Sequence, residues 1–126
     1  MKPSQLLIVE DEILLATVLE SRLIDFGYRV VDIVRAGENA ISAAEQLLPD
    51  LILMDIRLSG KMDGIDAALE IRKNHDIPLI FMTSCADEDT RQRAAAAEPG
   101  GFLPKLTDDR ELRTVIEAAL AGRRTA

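Results

Sequence analysis

The chain has little of several things, and each scarcity removes a class of protein. It contains one cysteine, Cys85, so no disulfide framework holds it together. It has no apolar run long enough to span a membrane. Basic residues are in the minority: 15 Lys and Arg against 22 Asp and Glu give a net charge of -7. Binding a phosphate backbone needs clustered Lys and Arg, so no direct nucleic-acid partner is expected. No internal repeat, low-complexity tract or Gly/Ser linker is visible. The start, Met1-Lys2-Pro3-Ser4-Gln5, runs into an apolar stretch within a few residues and does not read as a signal peptide. The expected location is cytoplasmic, with no membrane partner.

What is present suits a soluble globular domain: 126 residues, 48% hydrophobic and 29% charged. That length fits a single domain over 1–126, with a core at about 5–121 and a polar tail at 122–126. Asp50-Leu51-Ile52-Leu53-Met54-Asp55-Ile56-Arg57 sets the pattern. A short continuous apolar run is how a strand buried on both faces reads. Leu6 to Val9, Val30 to Val34, Pro78 to Thr83 and Phe102 to Pro104 read as four more strands.

Helical stretches lie between them. Leu14, Val18, Leu19, Leu23 and Phe26 recur at helical spacing, and Gly27 is placed to end that helix with a positive φ. Gly37 to Leu48 puts Ala40, Ile41, Ala44, Leu47 and Leu48 on one face before Pro49. Ile65 to Asn74 follows. Asp87 reads as the N-cap of an alanine-rich helix ended by Pro99-Gly100-Gly101. That helix, around Ala94 to Ala97, has little bulky surface to pack. Asp108 or Asp109 starts a last helix whose stripe is Leu112, Val115, Ile116, Ala119 and Leu120.

Strand then helix, five times, implies an α/β fold: a (βα)5 doubly wound parallel sheet with the flavodoxin-like order 2-1-3-4-5. Pro104 fits that order, because proline cannot donate to a ladder and strand five is an edge. Open α/β sheets bind ligands at the carboxyl ends of their strands. There the chain offers Glu10 and Asp11, Asp55, Thr83 and Ser84, and Lys105. Three close carboxylates repel and raise one another's pKa values, and a hard divalent cation such as Mg²⁺ relieves this. An ionised Asp55 is then a potential nucleophile toward phosphorus.

This constellation resembles the receiver domain of two-component response regulators. The matching motifs are Val9-Glu10-Asp11-Glu12, Leu53-Met54-Asp55-Ile56, Met62-Asp63-Gly64, Met82-Thr83-Ser84 and Gly101-Phe102-Leu103-Pro104-Lys105. The resemblance implies that Asp55 is the phosphoacceptor for a sensor histidine kinase or a phosphotransfer protein. It implies Mg²⁺ held by Asp11, Asp55 and the Arg57 backbone carbonyl, with Glu10 reaching it through water. Thr83, Ser84 and Lys105 would bind the phosphoryl oxygens, and Phe102 matches the switching aromatic. The face of helix four, strand five and helix five would signal to a downstream protein. The chain would be a monomer or weak homodimer, and not an enzyme beyond promoting its own phosphorylation and dephosphorylation.

Some positions depart from the family pattern. Leu106 follows Lys105 where the family has a cis proline, so a trans Lys105–Leu106 bond and a rearranged loop are expected. The loop from Asp55 to Met62 is one residue longer than in common receivers, with a bulge expected near Ser59-Gly60-Lys61. Arg57 and Cys85 are not obvious water-orienting residues, which suggests a persistent acyl phosphate. Arg57 could screen the site, pair with Glu10 or an incoming phosphoryl group, or be plain surface. Lys61 and His75 read as surface residues. Two other readings exist: a pseudo-receiver that binds proteins without phosphorylation, and a phosphatase of the haloacid-dehalogenase type. The latter wants a second acid where Arg57 stands. A flavin-binding flavodoxin relative would be repelled at Glu10-Asp11-Glu12.

Overall fold

Continuous apolar runs become buried strands. In the computed structural model, which describes residues 2–84 and 87–124, Leu51–Asp55 (β3) and Leu79–Thr83 (β4) are buried at every position. Gln5–Val9 (β1) is buried after its first residue. All three lie inside a five-stranded parallel sheet edged by Arg29–Val34 (β2) and Gly101–Pro104 (β5). The order is β2-β1-β3-β4-β5, the one expected from the sequence. Pro104 sits on the outer strand.

Alternation along the strands feeds two cores. Leu7, Val9, Ile52, Met54 and Phe81 face Gly37–Leu47 (α2), Gly64–Asn74 (α3) and Glu88–Ala95 (α4). Leu6, Ile8, Leu51, Leu53, Ile80 and Met82 face Ile13–Asp25 (α1) and Asp109–Arg124 (α5). Aspartates cap three helices: Asp63 accepts from Asp66 N at 2.9 Å, Asp87 from Thr90 N at 2.7 Å, and Asp108 from Glu111 N at 2.8 Å. Gly27 closes α1 at φ +97. In α5, Leu112, Ile116 and Ala119 are buried, and Val115 and Leu120 pack against the same core.

The structure corrects four expectations. On α1, Leu14 is 77% exposed and Val18 is exposed as well. The buried face runs through Ala16 and Leu23, with Leu19 and Phe26 beside them. At about 100° per residue, Leu14 and Val18 fall on the side of the helix opposite Ala16. This helix is apolar nearly all round, so spacing alone could not choose its face. On α2, Leu47 and Leu48 are exposed, and Leu48 turns into the left-handed region at φ 45. Helix α4 stops at Ala95, and Glu98 turns at φ 50. Both left-handed residues precede a proline, which bars the right-handed helix at that position. Finally, α5 continues to Arg124, into the stretch expected as a tail.

The expectation for α4 itself holds. Ala94 is its one buried residue. It is tied instead by Arg93, whose Nη2 lies 3.0 Å from Asp63 Oδ2 and 3.4 Å from Asp66 Oδ1. Half-exposed pairs of this kind are worth at most about 1 kcal/mol.

Candidate functional site

Register decides which side chains meet. Val9 lies beside Met54, and Asp55 lies beside Met82. Glu10 therefore leaves β1 level with Asp55. One step further, Thr83 pairs with Pro104, and Lys105 follows. Glu10, Asp55 and Thr83 are all buried, at 6%, 3% and 4% exposure. Burying two acids at one sheet edge is costly unless a counter-charge comes with them.

Lys105 supplies it. Its Nζ lies 2.9 Å from Glu10 Oε1 and 2.9 Å from Asp55 Oδ2, and its side chain is only 11% exposed. The lysine thus turns into the acid cluster although leucine follows it. The Lys105–Leu106 bond is trans, as expected. Three hydrogen bonds hold the loop in this course. Lys105 N donates to Thr83 O at 3.2 Å, and Arg22 reaches across from α1 to Thr107 O and Asp109 Oδ1 at 2.8 and 2.6 Å. Leu106 is left 88% exposed.

Electrostatics at the site follow from burial. Loss of water pushes the Asp55 carboxyl from its ordinary 3.8 up to about 6. Lys105 opposes this rise and Glu10 reinforces it. The Lys105 ammonium is disfavoured by burial, but contact with two acids outweighs that, and its pKa is raised. The Lys105 ammonium is the charge partner of Asp55 Oδ2, at 2.9 Å. Asp55 Oδ1 accepts from Arg57 N at 3.2 Å.

Glu10, Asp11 and Asp55 each offer a carboxylate oxygen, and these oxygens lie within 4.8 Å of one another. Clustered hard oxygen donors are the set a small divalent cation takes. The donor chemistry therefore fits Mg²⁺. Asp11 is half-buried, with Ser59 Oγ donating to its Oδ2 at 2.9 Å. Glu10 Oε2 accepts from Glu12 N at 3.1 Å.

The other residues singled out from the sequence have plain positions. The Arg57 side chain is exposed and its charge acts on Asp87, while Glu10 pairs with Lys105. Ser84 is exposed just beyond β4. Phe102 is half-buried, tilted against Phe81 with centroids 6.3 Å apart, and the Arg91 guanidinium lies 4.8 Å from its ring centre. Lys61 is exposed, next to Gly60 at φ +101, where the bulge was expected. His75 is the half-buried C-cap of α3. Cys85 lies outside the described residues. Three contributors carried no signal in the sequence: Arg22, Arg35 and Ser59. Arg35 donates to Asp11 O from Nε and Nη2, at 3.2 and 3.1 Å. A wider cleft of about 800 Å³ lies apart from the acids, between α3 and the turn after α4.

Comparison with known proteins agrees with this geometry. Residues 6–117 match the family described as response regulator receiver domain. The transcriptional regulatory protein PdtaR of Mycobacterium tuberculosis is 34% identical over 119 residues, covering 94% of this chain and 58% of that protein. A probable transcriptional regulator of Guillardia theta is 36% identical, covering 92% of this chain and 45% of its own length. The chain thus spans about half the length of the curated relatives it matches. Among solved structures, the receiver domain of a modulated diguanylate cyclase from Desulfovibrio desulfuricans superposes with a TM-score of 0.93 at 36% identity, covering 98% of each chain. The receiver domain of a Pseudomonas aeruginosa sensor histidine kinase, with a magnesium ion coordinated in its active-site cleft, gives 0.85 at 33% identity, over 94% of this chain and 98% of that one. With the motifs, the strand order and the acid–lysine edge in agreement, the chain belongs to the response regulator receiver domain family.

Proposed function

We propose that this receiver accepts a phosphoryl group on Asp55 from a phosphohistidine of a sensor kinase or phosphotransfer protein. The observation that carries this reading is the Lys105 ammonium seated 2.9 Å from both Glu10 and Asp55 at the carboxyl edge of the sheet. A pKa of about 6 leaves Asp55 mostly ionised at neutral pH and so nucleophilic. An Asp55 oxygen attacks phosphorus, a P–O bond forms, and the P–N bond to the donor breaks with its electron pair leaving on the imidazole. Mg²⁺ held by Asp11, Asp55, the Arg57 carbonyl and, through water, Glu10 would neutralise charge on the transferring phosphoryl oxygens. Lys105 would exchange its contact with Glu10 for a phosphoryl oxygen, and the buried Thr83, with Ser84 beyond it, lines the same edge. Phe102, half in the core beneath Arg91, would follow Thr83 and alter the α4–β5–α5 face that a downstream protein reads.

The test is incubation with phosphoramidate or acetyl phosphate and Mg²⁺, followed by intact mass. Wild type gains one phosphate, and Asp55→Asn gains none. An unmodified wild type would leave the pseudo-receiver reading in its place.

A further inference from the structure

Asp11 is the acid of the cluster least secured by its own segment. It sits in the turn between β1 and α1, and Glu12, which precedes α1, makes no side-chain cap bond there. Two residues from other loops hold Asp11 instead. Arg35, just after β2, grips the Asp11 carbonyl with two N–H groups at 3.1 and 3.2 Å. Ser59, 48 residues along the chain, donates its hydroxyl to Asp11 Oδ2 at 2.9 Å. Ser59 is followed by a turn at Gly60 with φ +101. One contact fixes the Asp11 main chain and the other fixes the rotation of its carboxylate.

We infer that Ser59 and Arg35 are positioning residues that pre-set Asp11 for a divalent cation shared with Glu10 and Asp55. The inference rests on the metal reading above. An untethered aspartate on a turn must be frozen when the cation binds, and that ordering weakens affinity. Here the ordering is done in advance by groups that need not touch the cation. Outer partners of metal-binding carboxylates commonly govern affinity in this way.

Free Mn²⁺ measured by EPR, with Mg²⁺ as competitor, reads the affinity directly. Ser59→Ala is expected to weaken binding about tenfold, while Ser59→Thr, which keeps the hydroxyl, stays within about twofold of wild type. Arg35→Ala is expected to weaken it as well. Far-UV circular dichroism checks that each variant is folded. At saturating Mg²⁺ the phosphoramidate reaction of Ser59→Ala should recover the wild-type rate, because affinity alone has changed. If wild type binds and Ser59→Ala binds equally well, the positioning role is wrong and the metal reading stands. Equal weakening in Ser59→Thr and Ser59→Ala would also overturn it. If wild type binds neither ion at millimolar concentration, the metal reading fails and the inference with it.

Discussion

Asp55→Asn should make the metal-free protein more stable at neutral pH. Asp55 is 3% exposed, and its pKa rises from 3.8 to about 6 on folding. A carboxyl whose folded pKa is raised costs stability when ionised. The cost is complete above pH 6 and disappears as pH falls through 6 toward 3.8. Roughly two pKa units at about 1.4 kcal/mol each give a penalty of up to about 3 kcal/mol at pH 7.5. Asparagine has nearly the shape of the neutral acid and no charge, and Lys105 keeps Glu10 as a partner at 2.9 Å. The variant should therefore gain up to about 3 kcal/mol at pH 7.5, or on the order of 10 °C in Tm. Near pH 4 it should gain almost nothing. The chain has no tryptophan, so urea unfolding in EDTA followed by far-UV circular dichroism is the assay. A variant no more stable than wild type at pH 7.5 would refute the reasoning, as would a gain of equal size at both pH values.

Two further outcomes concern the backbone. A Cβ added at Gly64 would lie 2.0 Å from the Asp55 carbonyl oxygen, a backbone atom that cannot step aside; Gly64→Ala should cost about 3 kcal/mol in urea unfolding, and a cost near zero would contradict the close approach of α3 to β3. Glu98 is exposed at φ 50, so Glu98→Gly should stabilise by about 0.5–1 kcal/mol, with relief of left-handed strain exceeding glycine's greater freedom when unfolded; a lower Tm would contradict it.

The sequence shows some links of this chain of causes plainly and hides others. Glu10, Asp55, Thr83 and Lys105 could be placed because each stands at the end of an apolar run, and alternation fixes where those ends gather. Cap residues such as Asp87 and Asp108 were legible because their bonds reach only three residues. The face of α1 was not, since Leu14 and Val18 are as apolar as the residues that are buried. Nor were the tethers. Arg22 to Thr107 spans 85 positions and Ser59 to Asp11 spans 48. Polar residues on loops carry no periodicity, so only the folded geometry shows what they hold. Lys105 shows a third case: the leucine after it implied a rearranged loop, yet ion pairs with Glu10 and Asp55 bring it into the acid cluster.

The most direct test is chemical trapping at one residue. After reaction with phosphoramidate and Mg²⁺, borohydride reduces an aspartyl phosphate to homoserine, and peptide mass spectrometry reads the position. Homoserine at position 55 alone, lost in Asp55→Asn, is the expected result. Conversion at Asp11, or none at any aspartate, would contradict Asp55 as the phosphoacceptor.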